Sequence, residues 1–153
     1  PLHRAARDGR PRVARRLVDA GAEIEATDQK GHTPLHLAAR QDAAEVAKAL
    51  IDAGANTEAC ANARGRPLQE AARGEAPSAA RVLVEEARLD ATDAQNKTPL
   101  HVAAEVDAAE VAEVLVDAGA SLGATDAREE TPLQKATACG ADGVVQRLKQ
   151  ART

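Results

Sequence analysis

The sequence predicts an all-α solenoid, in which helix-turn-helix units stack in a row and short loops or β-hairpins project from them. A seven-residue motif recurs five times, in steps of 33, 33, 32 and 33 residues. Its prolines are Pro1, Pro34, Pro67, Pro99 and Pro132. A second motif keeps the same period, as LVDAGA at Leu17, LIDAGA at Leu50, LVEEA at Leu83 and LVDAGA at Leu115. A constant period of this length is typical of stacked supersecondary units that bury their apolar faces on one another.

Composition limits how such a stack can be built. The chain is 44% hydrophobic and 29% charged, which suits a folded rather than a disordered protein. It contains no Phe, Tyr, Trp or Met, so the core must consist of Ala, Val, Leu and a few Ile. Aromatic anchors for protein interfaces and stacking platforms for single-stranded nucleic acid are therefore missing. We expect any partner to be bound mainly through Arg, Lys and aliphatic contacts.

The second unit contains the signals of one helix pair. Thr33 is a good N-cap residue, and Pro34 suits the first helical position, where a backbone N–H is not needed. The pattern predicts a first helix over residues 34–41 and a second helix over residues 43–53, which Gly54 ends.

The segment before each motif is rich in turn-forming residues. In the second unit it has the sequence ATDQKGH, from Ala26 to His32, and we expect a projecting loop or hairpin there.

These motifs resemble those of the ankyrin repeat family. The resemblance depends on TPLHLAA at Thr33–Ala39, on the LVDAGA ending and on the 33-residue step, and it covers essentially the whole chain. It implies antiparallel helix pairs with a β-hairpin projecting at right angles, stacked into a curved array. It also implies that the threonine and histidine of the motif bond to each other and to nearby backbone.

The chain is predicted to form a single array over residues 1–153. Its units are approximately 1–27, 28–60, 61–92, 93–125 and 126–153. Charged residues stand in the outer units where most inner units have apolar ones, as expected of solvent-facing capping units. They are Arg4, Arg16, Lys135, Arg147 and Lys149. We therefore expect a nearly complete array rather than a slice of a longer one.

The third unit departs from the pattern. It has Arg64 where Gly31 stands in the second unit, Arg66 in place of the capping Thr33, and a second helix without the final glycine. A lost N-cap costs about 1 kcal/mol. We expect Arg64 and Glu129 to be forced into left-handed turns, at about 1 kcal/mol each. The third unit and its junction with the fourth are predicted to be the softest part of the stack, the alternative being drift that the neighbouring units tolerate.

The motif histidines are interpreted as structural. The same motif position holds His3, His36, Gln69, His101 and Gln134. Glutamine donates and accepts hydrogen bonds but is a poor base and metal ligand, so a position that accepts both residues is structural. His32 and His36 imitate an HxxxH metal motif, but Pro34 between them opens a helix rather than continuing one.

No motif for catalysis or cofactor binding is found. The chain has no glycine-rich phosphate loop, HExxH, GxSxG, calcium loop or CxxC pair. We expect neither an enzyme nor a bound cofactor or metal. Cys60 and Cys139 are interpreted as reduced thiols of an intracellular protein, cytoplasmic or nuclear.

Charge is distributed unevenly along the chain. The first unit carries Arg4, Arg7, Arg10, Arg12, Arg15 and Arg16. Residues 99–127 contain no Lys or Arg but include Glu105, Asp107, Glu110, Glu113, Asp117 and Asp126. A duplex-binding protein needs an overall basic stripe, so a net charge of −4 disfavours nucleic acid as partner. No apolar run reaches the roughly 18 residues of a membrane span, and we expect a monomer.

The resemblance also implies where a partner binds, because ankyrin partners usually contact the hairpin tips and first-helix ends on the concave face. The corresponding positions at or beside the first-helix ends are Arg7, Arg40, Gln41, Arg73, Glu105 and Val106. Those of the hairpins are Lys30, His32, Arg64, Arg66, Lys97 and Arg128. The stacked arginines predict a basic groove across the first three units, suited to carboxylates or an acidic peptide. The alternative is ordinary solubilising charge, partly paired with acids of adjacent units.

The predicted function is a non-catalytic protein–protein interaction module that offers this concave, partly basic groove to a protein or an acidic peptide. Two alternatives remain open on sequence alone. One is a structural or engineered repeat scaffold without a natural ligand, and the other is a regulatory segment of a larger protein.

Overall fold

The computed structural model describes residues 1–152, which form ten α-helices arranged as five pairs. The first helices are α1 (Leu2–Arg7), α3 (Pro34–Arg40), α5 (Pro67–Arg73), α7 (Pro99–Val106) and α9 (Pro132–Cys139). The second helices are α2 (Pro11–Asp19), α4 (Ala44–Asp52), α6 (Pro77–Leu83), α8 (Ala109–Asp117) and α10 (Asp142–Ala151). First helices pack on first helices and second on second, so the predicted all-α solenoid is confirmed.

The core is a repeated pattern of small aliphatic side chains. Leu50, Leu83, Leu115 and Leu148 occupy the same position of successive second helices, and all are buried. Alanines of the first helices, such as Ala38 and Ala71, are inaccessible to solvent. Because their side chains end at Cβ, neighbouring helices approach closely, and stacking builds one continuous core without aromatic residues.

The loops before α3, α7 and α9 close as tight turns, and residues 1–152 contain no β-strand, so the expected β-hairpins are not formed there. In the first of these loops the N–H of Asp28 donates to the carbonyl of His32 at 3.0 Å. Asp93 with Lys97, and Asp126 with Glu130, repeat this bond at 3.1 and 3.0 Å. Each aspartate side chain also accepts two backbone N–H groups of its own loop.

The loop before α5, in the third unit, differs from these three. The prediction that Arg64 adopts a left-handed turn is wrong. Residues Asn62–Arg64 form a 3₁₀ turn that Gly65 follows. Asn62 (φ 46°) and Gly65 (φ 92°), rather than Arg64, have positive φ. Ala61 stands where the other loops have aspartate, so no carboxylate is available to close the usual turn. A Cβ on Gly65 would collide with the Gln69 side chain, so only glycine fits. The prediction for Glu129 is confirmed, with φ 62°.

Carboxylates join neighbouring units by accepting backbone N–H groups of the next unit. The pairs are Glu25 with Asn56 (2.8 Å), Asp42 with Ala79 (2.8 Å), Glu58 with Arg88 (2.8 Å), Asp90 with Ser121 (2.9 Å) and Asp107 with Val144 (3.1 Å). Asp42 and Asp107 bond to the first turns of α6 and α10, where helix N–H groups lack intrahelical partners. These bonds fix how each unit is set on the one before it.

The outer units expose most of the charges predicted to cap them, with one exception. Arg4, Arg16, Arg147 and Lys149 are exposed, whereas Lys135 is only 6% exposed. The prediction of a solvent-facing Lys135 is therefore wrong. Its ammonium group lies among carboxylates of the adjoining loop, which offset the cost of burying the charge.

Candidate functional site

The motif histidines hold the loops onto the helices. The N–H and the hydroxyl of Thr33 lie 3.1 and 2.9 Å from Nδ1 of His36, so this nitrogen accepts and Nε2 carries the proton. His36 Nε2 then donates to the carbonyl of Gly65 in the next unit at 3.2 Å. Burial lowers the pKa of His36, which favours this neutral form. The Thr–His bonding that the resemblance implied is confirmed.

The other units reproduce this arrangement. His101 contacts Thr98 in the same way, and its Nε2 donates to the carbonyl of Glu130 at 2.8 Å. Gln69 accepts from the N–H of Arg66 at 2.7 Å and donates to the carbonyl of Lys97 at 2.7 Å. The rings of His32 and His36 are close, with centroids 5.7 Å apart. Both ring nitrogens of His36, however, are already hydrogen-bonded. The motif position serves structure rather than chemistry.

A cleft of about 480 Å³ lies between the first two units on the loop side of the array. Arg7 and Arg40, at the ends of α1 and α3, line it together with Gln41. The loop before α3 contributes Asp28, Lys30 and His32, and Leu37 of α3 adds an apolar contact surface. We call this the N-terminal cleft. It brings together five of the residues predicted from sequence to bind a partner: Arg7, Lys30, His32, Arg40 and Gln41.

The cations of the N-terminal cleft exceed its anions. Arg7 and Lys30 are exposed, and neither forms an ion pair with any of residues 1–152. Arg40 lies 3.6 Å from a carboxylate oxygen of Glu70, with 42% of its side chain exposed. Asp28 accepts the N–H groups of Lys30 (2.8 Å) and His32 (2.9 Å). Burial raises the pKa of Asp28, but these backbone bonds outweigh burial and hold the pKa below its ordinary value.

His32 forms part of the cleft wall and is 3% exposed. Its Nδ1 lies 3.4 Å from Asp28 Oδ2. Its Nε2 has no hydrogen-bond partner within residues 1–152. Buried polar atoms without a partner are uncommon, so this nitrogen retains unused hydrogen-bonding capacity.

The middle of the concave face is neutralised by an internal network. Glu70 is buried in α5, with Arg40 on one side and Arg73 2.8 Å away on the other. Arg73 also reaches Asp93 of the fourth unit at 3.3 Å, which leaves only 21% of its side chain exposed. Arg73 therefore belongs to the framework, and the three arginines in register are not equally available to a partner.

A second cleft of about 320 Å³ lies between the fourth and fifth units. We call it the C-terminal cleft, and it is lined by Gln95, Lys97, Glu105, Asp126, Arg128 and Lys135. Lys135 Nζ lies 2.9 Å from Asp126 and 2.5 Å from Glu130. Lys97 Nζ lies 2.7 Å from Glu105. Both lysines of this cleft are thus paired with acids of the same chain, and Arg128 is its one lining cation without an ion pair among residues 1–152.

The titration of the C-terminal cleft reflects this pairing. Hydrogen bonds to Glu130 and then to Asp126 raise the pKa of Lys135. Burial raises the pKa of Asp126, but the bond from Lys135 and the N–H groups of Arg128 and Glu130 outweigh it and lower the pKa to about 2. Both groups are therefore charged at neutral pH.

The remaining predicted residues lie apart from the N-terminal cleft. Arg66 forms an ion pair with Glu58 (3.0 Å) and donates a hydrogen bond to the carbonyl of Thr92 (2.8 Å), so it connects two loops. Arg64 is exposed, and its carbonyl accepts a bond from Arg73. Lys97, Glu105 and Arg128 line the C-terminal cleft, and Val106 beside Glu105 is 38% exposed.

Sequence reasoning missed Asp28, Leu37, Glu70, Asp93, Asp126 and Lys135 as parts of these clefts and networks. Part of the signal was present: Asp28, Asp93 and Asp126 stand six residues before the motif proline in three units.

A model of ankyrin repeats, in three copies, matches residues 2–93 and again residues 68–152. The chain belongs to the ankyrin repeat family. The resemblance inferred from its motifs is thus confirmed. Ankyrin repeats are generally protein–protein interaction modules. No curated protein matches the chain. Each helix in residues 1–152 of this ankyrin array is too short or too polar to span a lipid bilayer.

Proposed function

We propose that this ankyrin array is a monomeric, non-catalytic module that binds an acidic segment of another protein on its concave, loop-bearing face. The observation that carries the proposal is the cation surplus of the N-terminal cleft, where Arg7 and Lys30 have no acidic partner among residues 1–152. Elsewhere on this face Arg73, Lys97 and Lys135 are paired with acids of the same chain, whereas Arg64 and Arg128 are isolated cations without an ion pair among residues 1–152. The basic groove predicted across three units is accordingly narrowed to the first two.

The mechanism is preorganisation. The loop before α3 is closed by Asp28, and Arg40 is oriented by Glu70. A loop backbone that is ordered before binding does not have to be ordered when the partner arrives, which lowers the entropy cost of binding. The unpaired cations add electrostatic steering, which raises the association rate and gives it a salt dependence.

Neither the free thiols nor the titratable residues of the C-terminal cleft support a catalytic role for the clefts. The two free thiols, Cys60 and Cys139, are exposed and line neither cleft. The titratable residues of the C-terminal cleft are already paired with one another, so their shifted pKa values reflect internal ion pairs rather than a poised acid or base.

The test is selection from a random peptide display library on the immobilised protein at low salt. Selected peptides are then mapped by chemical-shift changes in ¹H–¹⁵N spectra. We expect enrichment of acidic sequences, with shifts at the first-helix ends and the loops. Enrichment of neutral or basic sequences, or shifts confined to the second helices, contradicts the proposal.

A matched pair of variants tests the charge surplus. The double variant Arg7→Glu with Lys30→Glu breaks no ion pair among residues 1–152, and it should abolish binding of the selected peptides. Arg12→Glu with Arg81→Glu makes the same change in net charge at exposed arginines of second helices. Equal loss of binding in both variants would reduce the effect to overall charge.

A further inference from the structure

The two clefts occupy equivalent positions in the repeat but have different charged residues in those positions. Arg7 of the N-terminal cleft corresponds to Glu105 of the C-terminal cleft, and Leu37 corresponds to Lys135. At the C-terminal cleft the ammonium group of Lys135 is surrounded by acids of the same chain. At the N-terminal cleft an uncharged leucine replaces it, and neither Arg7 nor Lys30 forms an ion pair within residues 1–152.

We propose that the N-terminal cleft is a binding site for one carboxylate-bearing side chain of a partner peptide, held between Arg7 and Lys30 with its methylene stem on Leu37. This inference rests on the proposed function and names the subsite within it. The partner's carboxylate plays toward Arg7 and Lys30 the part that Glu105 plays toward Lys97 in the C-terminal cleft.

The wall of the cleft favours a carboxylate over a phosphate. Asp28 keeps 29% of its side chain exposed, and its backbone bonds keep it ionised. A phosphate carries nearly two negative charges at neutral pH, so it is repelled more strongly by this neighbour than a carboxylate is. The third cation, Arg40, is paired with Glu70. Arg7 and Lys30 with Asp28 then leave a surplus of one positive charge, which one carboxylate neutralises.

The experiment is a titration of the full chain with three blocked heptapeptides, each with one central residue among glycines. The central residue is glutamate, glutamine or phosphoserine, and binding is followed by the backbone amides and the arginine Nε–H signals. We expect the glutamate peptide to shift the side-chain signals of Arg7 and Arg40 and the amides of Lys30 and His32. Replacing glutamate by glutamine should weaken binding about tenfold.

Variants locate the site. Arg7→Ala with Lys30→Ala should weaken binding of the glutamate peptide about tenfold, whereas the control Arg12→Ala with Arg81→Ala should leave it within about twofold. Arg7→Glu should weaken binding more than Arg7→Ala, because it replaces one of the two cations of the site by an anion. Unfolding curves of each variant show whether a loss of binding reflects a loss of fold.

Four results would overturn the site. They are no shift up to millimolar peptide, equal binding of the glutamine peptide, equal shifts at the C-terminal cleft, or at least tenfold tighter binding of the phosphoserine peptide. Failure here with display-selected peptides still binding elsewhere on the concave face removes the subsite alone. Binding of the glutamate peptide without any selected acidic sequence removes the proposed function and keeps the site.

Discussion

The N-terminal and C-terminal clefts have the same backbone arrangement but differ in which of their cations form ion pairs. In the N-terminal cleft Arg7 and Lys30 face solvent and form no ion pair within residues 1–152. In the C-terminal cleft Lys135 is buried among carboxylates. A repeat position thus holds either an exposed cation without an ion pair or a structural ion pair, depending on whether the neighbouring loop and helix end supply the opposite charge. Four predictions test this difference, from the largest expected effect to the smallest.

Removing the buried ammonium group of the C-terminal cleft should be the most damaging change. Lys135→Leu installs the residue type of the N-terminal cleft but leaves Asp126 and Glu130 without their cation. We expect the free energy of unfolding, measured in urea, to fall by about 2–3 kcal/mol. Lys149→Leu, at an exposed lysine of α10, should change it by less than about 0.5 kcal/mol. A Lys135→Leu protein as stable as the wild type would show that the C-terminal ion pairs do not stabilise the fold.

Acid should weaken the same cleft in a defined pH window. The pKa of Asp126 is about 2 in the folded protein and 3.8 ordinarily. Because the folded pKa is the lower one, the stabilisation is complete above pH 3.8 and is lost as pH falls toward 2. It amounts to roughly 2 kcal/mol.

Asp126→Asn tests this window. The variant should be less stable than the wild type at pH 7, and the difference should shrink between pH 4 and pH 2. Asp117→Asn, at an exposed aspartate of α8, is the control. A difference in unfolding free energy that is independent of pH would assign the effect of Asp126 to packing rather than to charge.

The third unit separates the two clefts and is predicted to be the softest part of the stack. The amides of Ala63 and Gly65 lack the aspartate acceptor that holds those of Lys30 and His32. We expect these two amides to exchange hydrogen faster than those of Lys30 and His32, because the free energy of opening their loop is lower by about 1 kcal/mol. Uniform protection of all four loops would mean that the neighbouring units tolerate the altered turn, and that the clefts are mechanically coupled.

The smallest effect is expected at the open cations. Arg7→Ala and Lys30→Ala should each change the free energy of unfolding by less than about 0.5 kcal/mol, because no internal ion pair is lost. Thermal unfolding measures this directly. A loss above about 1 kcal/mol for either variant would show that the N-terminal cleft also serves the framework.

The period predicted the fold because each unit repeats the same local signals. Thr33 and Pro34 begin a helix as predicted. The observed α3 ends one residue earlier than predicted, and α4 is one residue shorter than predicted at both ends. The histidine positions were also predictable, since Gln69 performs the same hydrogen bonding as His36. Local rules sufficed wherever the partners of a residue lie at fixed repeat offsets.

Sequence reasoning failed where the meaning of a charge depends on its neighbours in space. Lys135 was assigned to a solvent-facing cap because inner units are mostly apolar at that position, but Asp126 and Glu130 make burial favourable. Arg73 matches Arg7 in the repeat, yet Glu70 and Asp93 occupy its guanidinium. Comparing equivalent positions shows which residue differs from the pattern and not which charges it meets.

The carboxylates that bond across unit boundaries make the order of the repeats part of the sequence code. The first turn of α6 depends on Asp42 of the preceding unit, and that of α10 depends on Asp107. Gly9 and Glu75 stand at the equivalent places of the first and third units. A rearranged chain would mismatch these donors and acceptors even with every helix intact. The five units are therefore not interchangeable, because each boundary depends on the donor and acceptor residues of two particular neighbours.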